Sequence, residues 1–217
     1  MNNISNCFTE YLDYDSILPN TKSKYFSLSD LPSDFTKNDF ALFNLNIQSL
    51  NSKYDLLAST VCSLQEKDIS LSVITLQETW TDFVDYDLSL KGFDAYSMSR
   101  SSSTKGGLVT YVKKEISAKI VEYPNYDTSL FETLAVEISW QYNKEKAVIL
   151  NIYRPPRNTN SNLISFMQNF ERVLAYFDEN YANVIVTGDS NIDLLRVNEC
   201  QLYDDYLNLF IHRGYSP

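Results

Sequence analysis

The 217-residue sequence has few of the residues that bind zinc or form a disulfide framework. It has one histidine and three cysteines, and Cys7, Cys62 and Cys200 lie far apart in no metal-binding spacing. We therefore expect reduced thiols and no zinc site. Only five glycines are present, which is few for a fold with many tight turns.

Long apolar runs and an excess of basic residues are also missing. No apolar run approaches the roughly 20 residues of a membrane span. The N-terminal stretch MNNISNCFTEYLDYD has neither the basic start nor the apolar centre of a secretory signal. We therefore expect a nuclear or cytosolic protein that is not secreted and does not bind a membrane.

The formal net charge of −10 argues against a large basic groove that binds nucleic acid through many phosphates. It leaves open a metal-dependent hydrolase of phosphodiesters, because such a site needs local carboxylates whatever its substrate.

The sequence predicts an extension followed by one domain. Residues 1–39 are polar and acidic without sustained periodicity, and we expect a loosely ordered N-terminal extension there. Residues 40–217 alternate between strand and helix patterns, as in two layered sheets with helices outside. Strands are predicted at 40–47, 71–77, 93–99, 107–114, 118–123, 131–140, 146–155 and 183–189, and helices at 53–67, 161–180 and 200–215.

In the first predicted helix, Leu56, Leu57, Val61 and Leu64 have helical spacing, which predicts that they share a core-facing stripe.

Polar residues follow four of the apolar strands. Taken singly, each could be a cap or a turn residue. Taken together, carboxylates and amides at the ends of buried strands are held rigidly and close to one another, as a metal or phosphate site requires. These residues are Asn46 in NLNIQSL, Glu78 in LQETW, Tyr153 and Arg154 in NIYRPP, and Asp189 and Asn191 in GDSN.

The segments NLNIQSL, LQETW, GGLVTYVKK, NIYRPP and VTGDSNIDLL together resemble the endonuclease/exonuclease/phosphatase superfamily. Within it, the sequence is most similar to the apurinic-like endonuclease domain of non-LTR (LINE-type) retrotransposons. The resemblance runs from about Phe40 to the end. Ser190 stands where the last motif usually has a hydrophobic residue, and this departure leaves Asp189 and Asn191 in place.

The resemblance implies a four-layer α/β sandwich, two packed mixed sheets flanked by helices, with one Mg²⁺ at the mouth between the sheets. By resemblance, Glu78 is the principal metal ligand and Asn46 contacts the metal or its water. Asp189 orients or deprotonates the attacking water, and Asn191 holds that water and the phosphate. Tyr153 donates its hydroxyl to a phosphate oxygen or acts as a proton donor near the leaving group.

General chemistry supports such roles. Phosphodiester hydrolysis needs a nucleophilic water, neutralised charge on the phosphoryl oxygens and a stabilised leaving oxygen. Oxygen ligands suit Mg²⁺ or Mn²⁺ better than zinc. Arg154 and Arg157 could contact DNA phosphates, or could simply be solvated beside the Pro-Pro turn.

The family pattern closes with an Asp-His pair on a late strand, and this sequence has only His212. His212 lies in a segment that resembles the helix before that strand, so we do not assign it a catalytic role. We therefore expect a domain that is incomplete at its C-terminal end, with weak or no DNA nicking by this chain alone.

The resemblance implies a monomeric endonuclease that nicks target DNA and leaves a 3′-hydroxyl to prime reverse transcription. Its partners would be DNA and a reverse transcriptase domain in the parent polyprotein. Two alternatives stay open. One is a phosphatase that acts on a lipid or inositol phosphate, and the other is a non-catalytic remnant or interaction module of the same fold.

Overall fold

The computed structural model describes residues 40–81, 89–98, 106–124, 129–140, 145–156, 159–194 and 200–215. The proposed extension, residues 1–39, and Arg157 lie outside these ranges. Within them the chain forms β1 (Leu42–Asn46), α1 (Leu50–Glu66), β2 (Val73–Gln77), β3 (Phe93–Met98), β4 (Leu108–Lys113), β5 (Ser117–Ile120), β6 (Glu132–Ser139), β7 (Lys146–Tyr153), α2 (Asn160–Asn180), β8 (Val184–Asp189) and α3 (Gln201–Ile211).

Each predicted element is confirmed in type, and the bounds differ by a few residues. Helix α1 begins three positions before the predicted residue 53 because Ser49 caps it. The Ser49 side chain accepts a hydrogen bond from the Ser52 main-chain nitrogen, which satisfies one of the free N–H groups of the first turn. None of the described helices is long and apolar enough to cross a membrane.

The strands form two mixed four-stranded sheets. In the first sheet the order is β1-β2-β4-β3, and β1 runs parallel to β2. In the second sheet the order is β5-β6-β7-β8, and β7 runs parallel to β8. Each sheet therefore has one parallel pair at an edge, and the two strands of that pair end at the same side of the sheet.

Three apolar clusters separate four layers. Helix α1 packs on the outer face of the first sheet, where its Leu57 and Val61 share a cluster with Ile74 of β2. Helices α2 and α3 cover the outer face of the second sheet. Between the sheets, Val73 of β2 packs in a cluster with Ile149 of β7. The four-layer α/β sandwich predicted from the sequence is confirmed.

The prediction that Leu56 belongs to the core-facing stripe of α1 is wrong. Leu56 is 65% exposed, whereas Leu57, Val61 and Leu64 are buried as predicted. Leu50 is the remaining buried leucine of this helix. Positions 50, 57, 61 and 64 lie on one stripe of a 3.6-residue period, and residue 56 is rotated by about 100° from residue 57.

Candidate active site

The carboxyl ends of the two parallel strand pairs lie together at one edge of the sandwich. In the first sheet the register pairs Asn46 with Gln77, the residue before Glu78. In the second sheet it pairs Tyr153 with Asp189. Each sheet therefore supplies two of the polar residues predicted from the strand ends, and the two pairs, Asn46 with Glu78 and Tyr153 with Asp189, lie far apart along the chain.

A hydrogen-bonded group, which we call the strand-end cluster, consists of Asn46, Glu78, Tyr153 and Asp189. The Asn46 Nδ2 atom donates to Glu78 Oε1 and to Asp189 Oδ2, both at 2.7 Å. The Tyr153 hydroxyl also bonds to Glu78. One amide group thus joins two carboxylates that belong to different sheets, and it offsets part of their mutual repulsion.

The environment of Tyr153 keeps its hydroxyl protonated. Its side chain is buried, and burial raises the pKa of the phenol well above its ordinary value. The negative charge of Glu78, the hydrogen bond to it and the charges of Glu132 and Asp189 raise this pKa further. Tyr153 is therefore a neutral hydrogen-bond donor.

The Glu78 carboxylate is also held from its other side. Trp80, whose side chain is partly exposed, donates from Nε1 to Glu78 Oε2 at 3.2 Å. Both Glu78 and Trp80 have left-handed backbone conformations, with φ of 52° and 51°. Such conformations are strained for residues other than glycine and persist only when surrounding contacts impose them.

The loop after β8 positions Asp189 and Asn191. Asp189 Oδ1 accepts a hydrogen bond from the Asn191 main-chain nitrogen at 2.9 Å, and Asn191 has a φ of 50°. The Asn191 side-chain nitrogen donates to the main-chain oxygen of Arg154 at 2.8 Å. The main chain of Asn191 therefore contacts the strand-end cluster, while its side-chain nitrogen bonds to the end of β7.

Arg154 is buried and holds the same loop. Its Nε donates to the Ser190 oxygen at 2.6 Å and its Nη2 to the Asn191 oxygen at 2.8 Å. The guanidinium carbon lies 5.4 Å from the centre of the Phe166 ring on α2. Burial lowers the pKa of this guanidinium. Contact of Arg154 with a DNA phosphate stays a prediction, as does that of Arg157, which lies outside the described residues.

Beneath the cluster, polar side chains join the two sheets. Gln77 Nε2 donates to Asn151 Oδ1 at 2.7 Å and to Asn44 Oδ1 at 2.9 Å. The Thr75 and Thr187 hydroxyls lie 3.2 Å apart. The bond of Gln77 to Asn151 joins β2 to β7, and the contact of Thr75 with Thr187 joins β2 to β8, so the two sheets are fixed against each other near Glu78 and Tyr153.

Two residues at the site were not selected from the sequence. Trp80 contacts Glu78, and Glu132 is a buried carboxylate that begins β6 and pairs in register with Tyr153. The signal for Glu132 is an ionisable residue inside the otherwise apolar segment FETLAVEISW, since charges are rarely buried without a specific partner.

His212 caps the end of α3 and is exposed.

The donor atoms of the cluster fit a hard divalent cation. The described residues include no group of three or more His, Cys, Asp and Glu side chains that could hold a metal ion. The strand-end cluster instead offers the carboxylates of Glu78 and Asp189 and the amide of Asn46. Asn46 Oδ1 is buried and accepts no hydrogen bond, although its Nδ2 joins Glu78 and Asp189. Carboxylate and amide oxygens are ligands that Mg²⁺ and Mn²⁺ accept.

No protein-family model matches the sequence, and no curated protein matches it significantly. Solved structures do match. A 3′ phosphatase, NExo, from Neisseria, bound to a product DNA hairpin, has a TM-score of 0.58 at 10% identity and covers 81% of this chain and 72% of its own. An AP endonuclease from Archaeoglobus fulgidus has a TM-score of 0.55 at 13% identity, with coverages of 79% and 71%.

An endonuclease/exonuclease/phosphatase family protein from Bacteroides thetaiotaomicron has a TM-score of 0.53 at 15% identity and covers 78% of this chain and 66% of its own. At these identities the similarity is one of fold. The two mixed sheets flanked by helices are the α/β sandwich of the endonuclease/exonuclease/phosphatase superfamily, and this chain has that fold.

Proposed function

We propose that this chain is a metal-dependent phosphodiester hydrolase of the retrotransposon endonuclease type, which nicks target DNA to prime reverse transcription. The main support is the strand-end cluster, in which one amide joins two carboxylates from different sheets beside a neutral phenol. The fold, which is shared with nucleases and phosphatases, and the resemblance of the motifs support the proposal.

Glu78 and Asn46 would hold the metal, Mg²⁺ or Mn²⁺. The buried Asn46 Oδ1, which accepts no hydrogen bond, is available as a ligand atom. When bound, the ion neutralises the negative charge of the phosphoryl oxygens.

Asp189 orients the attacking water and accepts its proton. Each of its carboxylate oxygens accepts one hydrogen bond from the protein, from Asn191 or from Asn46. A carboxylate has about four acceptor positions, so Asp189 can also accept from a water. Asn191 holds the water and the phosphate through its amide oxygen and its second N–H hydrogen, since one hydrogen bonds to Arg154.

Tyr153 donates its hydroxyl hydrogen to a phosphate oxygen or near the leaving oxygen. Its raised pKa keeps the hydrogen in place at neutral pH. The hydroxyl has one hydrogen, which bonds to Glu78 in the substrate-free protein, so donation to the phosphate requires the hydroxyl to turn away from Glu78. Arg154 and Arg157 are the proposed contacts to further DNA phosphates.

A phosphatase of small phosphate esters is the second candidate. The net charge of −10 favours it, because an acidic protein attracts long DNA weakly. A mannosyl-6-phosphatase from Bacteroides thetaiotaomicron has the same fold, with a TM-score of 0.52 at 14% identity.

The test compares hydrolysis of supercoiled plasmid DNA and of a phosphate monoester by the purified chain with Mg²⁺ or Mn²⁺. We expect weak metal-dependent nicking by the wild-type chain, and a rate lower again by roughly 10²–10³ in Glu78→Gln and Asp189→Asn. Asp55→Asn and Glu66→Gln, which change exposed carboxylates of α1, are the matched controls and should keep the wild-type rate.

Monoester hydrolysis without nicking would support the phosphatase. Absence of both activities, together with no metal binding by calorimetry, would contradict the enzyme and favour a non-catalytic module.

A further inference from the structure

Glu132 is a buried carboxylate with no place in the chemistry proposed above. It begins β6, is 5% exposed and lies opposite Tyr153 in the register of β6 and β7. Its Oε2 accepts a hydrogen bond from the main-chain nitrogen of Gly107 at 2.7 Å. Burying an ionised carboxylate is costly, so a position that keeps one has a specific interaction to satisfy.

The turn that Glu132 contacts has to be made of glycine. Gly106 and Gly107 have φ of 95° and 89°, which side-chain-bearing residues rarely adopt. A Cβ atom added to Gly106 would lie 2.3 Å from Glu132 Oε1. The missing side chain therefore makes room for the carboxylate.

The same turn holds the backbone after Glu78. Gly106 O accepts a hydrogen bond from the Trp80 nitrogen at 2.9 Å, and Gly107 O accepts from the Thr79 nitrogen at 3.2 Å. These bonds act on the two residues that follow Glu78 and help to impose its left-handed φ of 52°. In that conformation Glu78 receives the bonds from Asn46 and Trp80.

We propose that Glu132 is a positioning residue for the metal ligand Glu78 and acts through the Gly106-Gly107 turn. The proposal rests on the proposed function, since it assigns Glu78 to the metal. The carboxylate of Glu132 anchors the turn, and the turn fixes the backbone that aims Glu78 at the strand-end cluster.

The first experiment measures the Mn²⁺ dissociation constant by calorimetry, with kcat and KM for nicking, in Glu132→Ala and Glu132→Gln. We expect Mn²⁺ to bind at least tenfold more weakly to Glu132→Ala and kcat to fall, with KM for DNA little changed. Glu132→Gln keeps the shape and one acceptor for Gly107, and it should recover most of the affinity. Glu137→Gln is the matched control, since Glu137 is a buried carboxylate of the same strand that bonds Lys146 instead.

Glu137→Gln should lower the melting temperature and leave the Mn²⁺ dissociation constant unchanged. Wild-type Mn²⁺ affinity and kcat in a folded Glu132→Ala would overturn the positioning role and leave the proposed function standing. A wild-type chain that neither binds Mn²⁺ nor hydrolyses a phosphate ester would instead overturn the proposed function, and the positioning role with it.

A second experiment tests the contact itself without relying on activity. Gly106→Ala should lower the melting temperature because its Cβ meets Glu132 and because its φ is strained. In a Glu132→Ala background the collision is gone and only the φ strain remains, so the same substitution should lower the melting temperature less. Equal decreases in the two backgrounds would show that Gly106 and Glu132 do not interact, which contradicts the proposal.

Discussion

The ring and the hydroxyl group of Tyr153 have different roles, since the ring packs in the core and the hydroxyl belongs to the candidate site. The ring belongs to the apolar cluster between the sheets, where a phenylalanine would fit equally well. The hydroxyl bonds to Glu78 and stays protonated because burial and nearby carboxylates raise its pKa. Tyr153→Phe removes only this oxygen atom, so it tests the proposed hydrogen-bond donor and preserves the packing of the core.

We expect Tyr153→Phe to lower the nicking rate by about 10²–10³, the usual cost of losing one hydrogen-bond donor to the transition state. Its far-UV circular dichroism and Mn²⁺ affinity should stay close to the wild type. Tyr96→Phe is the control, since Tyr96 packs against the same inter-sheet cluster and its hydroxyl bonds to the Ala118 oxygen, away from the carboxylates. An unchanged rate in Tyr153→Phe would remove Tyr153 from the proposed mechanism.

The residues at the ends of strands could be predicted because the change from apolar to polar residues is visible within a few consecutive positions of the sequence. Asn46, Glu78, Tyr153 and Asp189 were found in this way, and the structure brings them together. Glu132 was not selected because its partner, the Gly107 nitrogen, lies 25 positions away along the chain. A contact at that distance depends on strand pairing, which no local pattern contains.

Arg154, which follows β7, holds the loop after β8 through hydrogen bonds. Arg154 donates to the oxygens of Ser190 and Asn191, and its own oxygen accepts from the Asn191 side chain. The main-chain nitrogen of Arg154 donates to the Asp189 oxygen. This set of bonds fixes Asp189 relative to Tyr153, so the geometry of the proposed catalytic carboxylate is set partly by the end of β7.

We expect Arg154→Met to destabilise the protein by about 3 kcal/mol, because two hydrogen bonds from a charged donor to the Ser190 and Asn191 oxygens are lost. The kcat for nicking should also fall, because the loop that positions Asp189 loses its hydrogen bonds to Arg154. Urea unfolding and steady-state kinetics measure both effects. Unchanged stability with a raised KM for DNA would indicate instead that Arg154 acts mainly as a phosphate contact. Arg172→Met, on the exposed face of α2, controls for loss of charge.

The type of each element could be predicted, whereas strand order could not. Periodicity distinguishes strand from helix because the side-chain period is 2 in one and 3.6 in the other. It does not reveal that β4 lies between β2 and β3, since pairing depends on the packing of the whole sheet. The error at Leu56 has the same origin, because the face of α1 that is buried is decided by the sheet beneath it.

The molecule as a whole buries several phenol groups, and this gives its stability a defined dependence on alkaline pH. Burial raises the pKa values of Tyr153 and Tyr215, and it raises the pKa of Tyr206 to about 12. In the unfolded chain these phenols have their ordinary pKa of about 10. Between these values the unfolded chain has released protons that the folded chain still holds.

The free energy of unfolding should therefore be constant with respect to these tyrosines below about pH 10 and should fall as the pH rises toward 12. Each such group contributes a slope of at most about 1.4 kcal/mol per pH unit. Urea unfolding at pH 9, 10, 11 and 11.5 measures the slope, and Tyr206→Phe should make it shallower. A slope that is identical in wild type and Tyr206→Phe would show that this phenol titrates normally in the folded protein.

The hydrogen bond between Asn46 and Asp189 joins residues that are 143 positions apart. Bringing such distant segments together costs loop-closure entropy before any contact is made, and topologies with many distant contacts fold slowly. Neither sheet contains the cluster by itself, because Asn46 ends β1 and Glu78 follows β2 in the first sheet, whereas Tyr153 and Asp189 end strands of the second. A partly folded chain that has completed one sheet therefore still lacks the paired carboxylates, and the cluster exists only once the two sheets have docked.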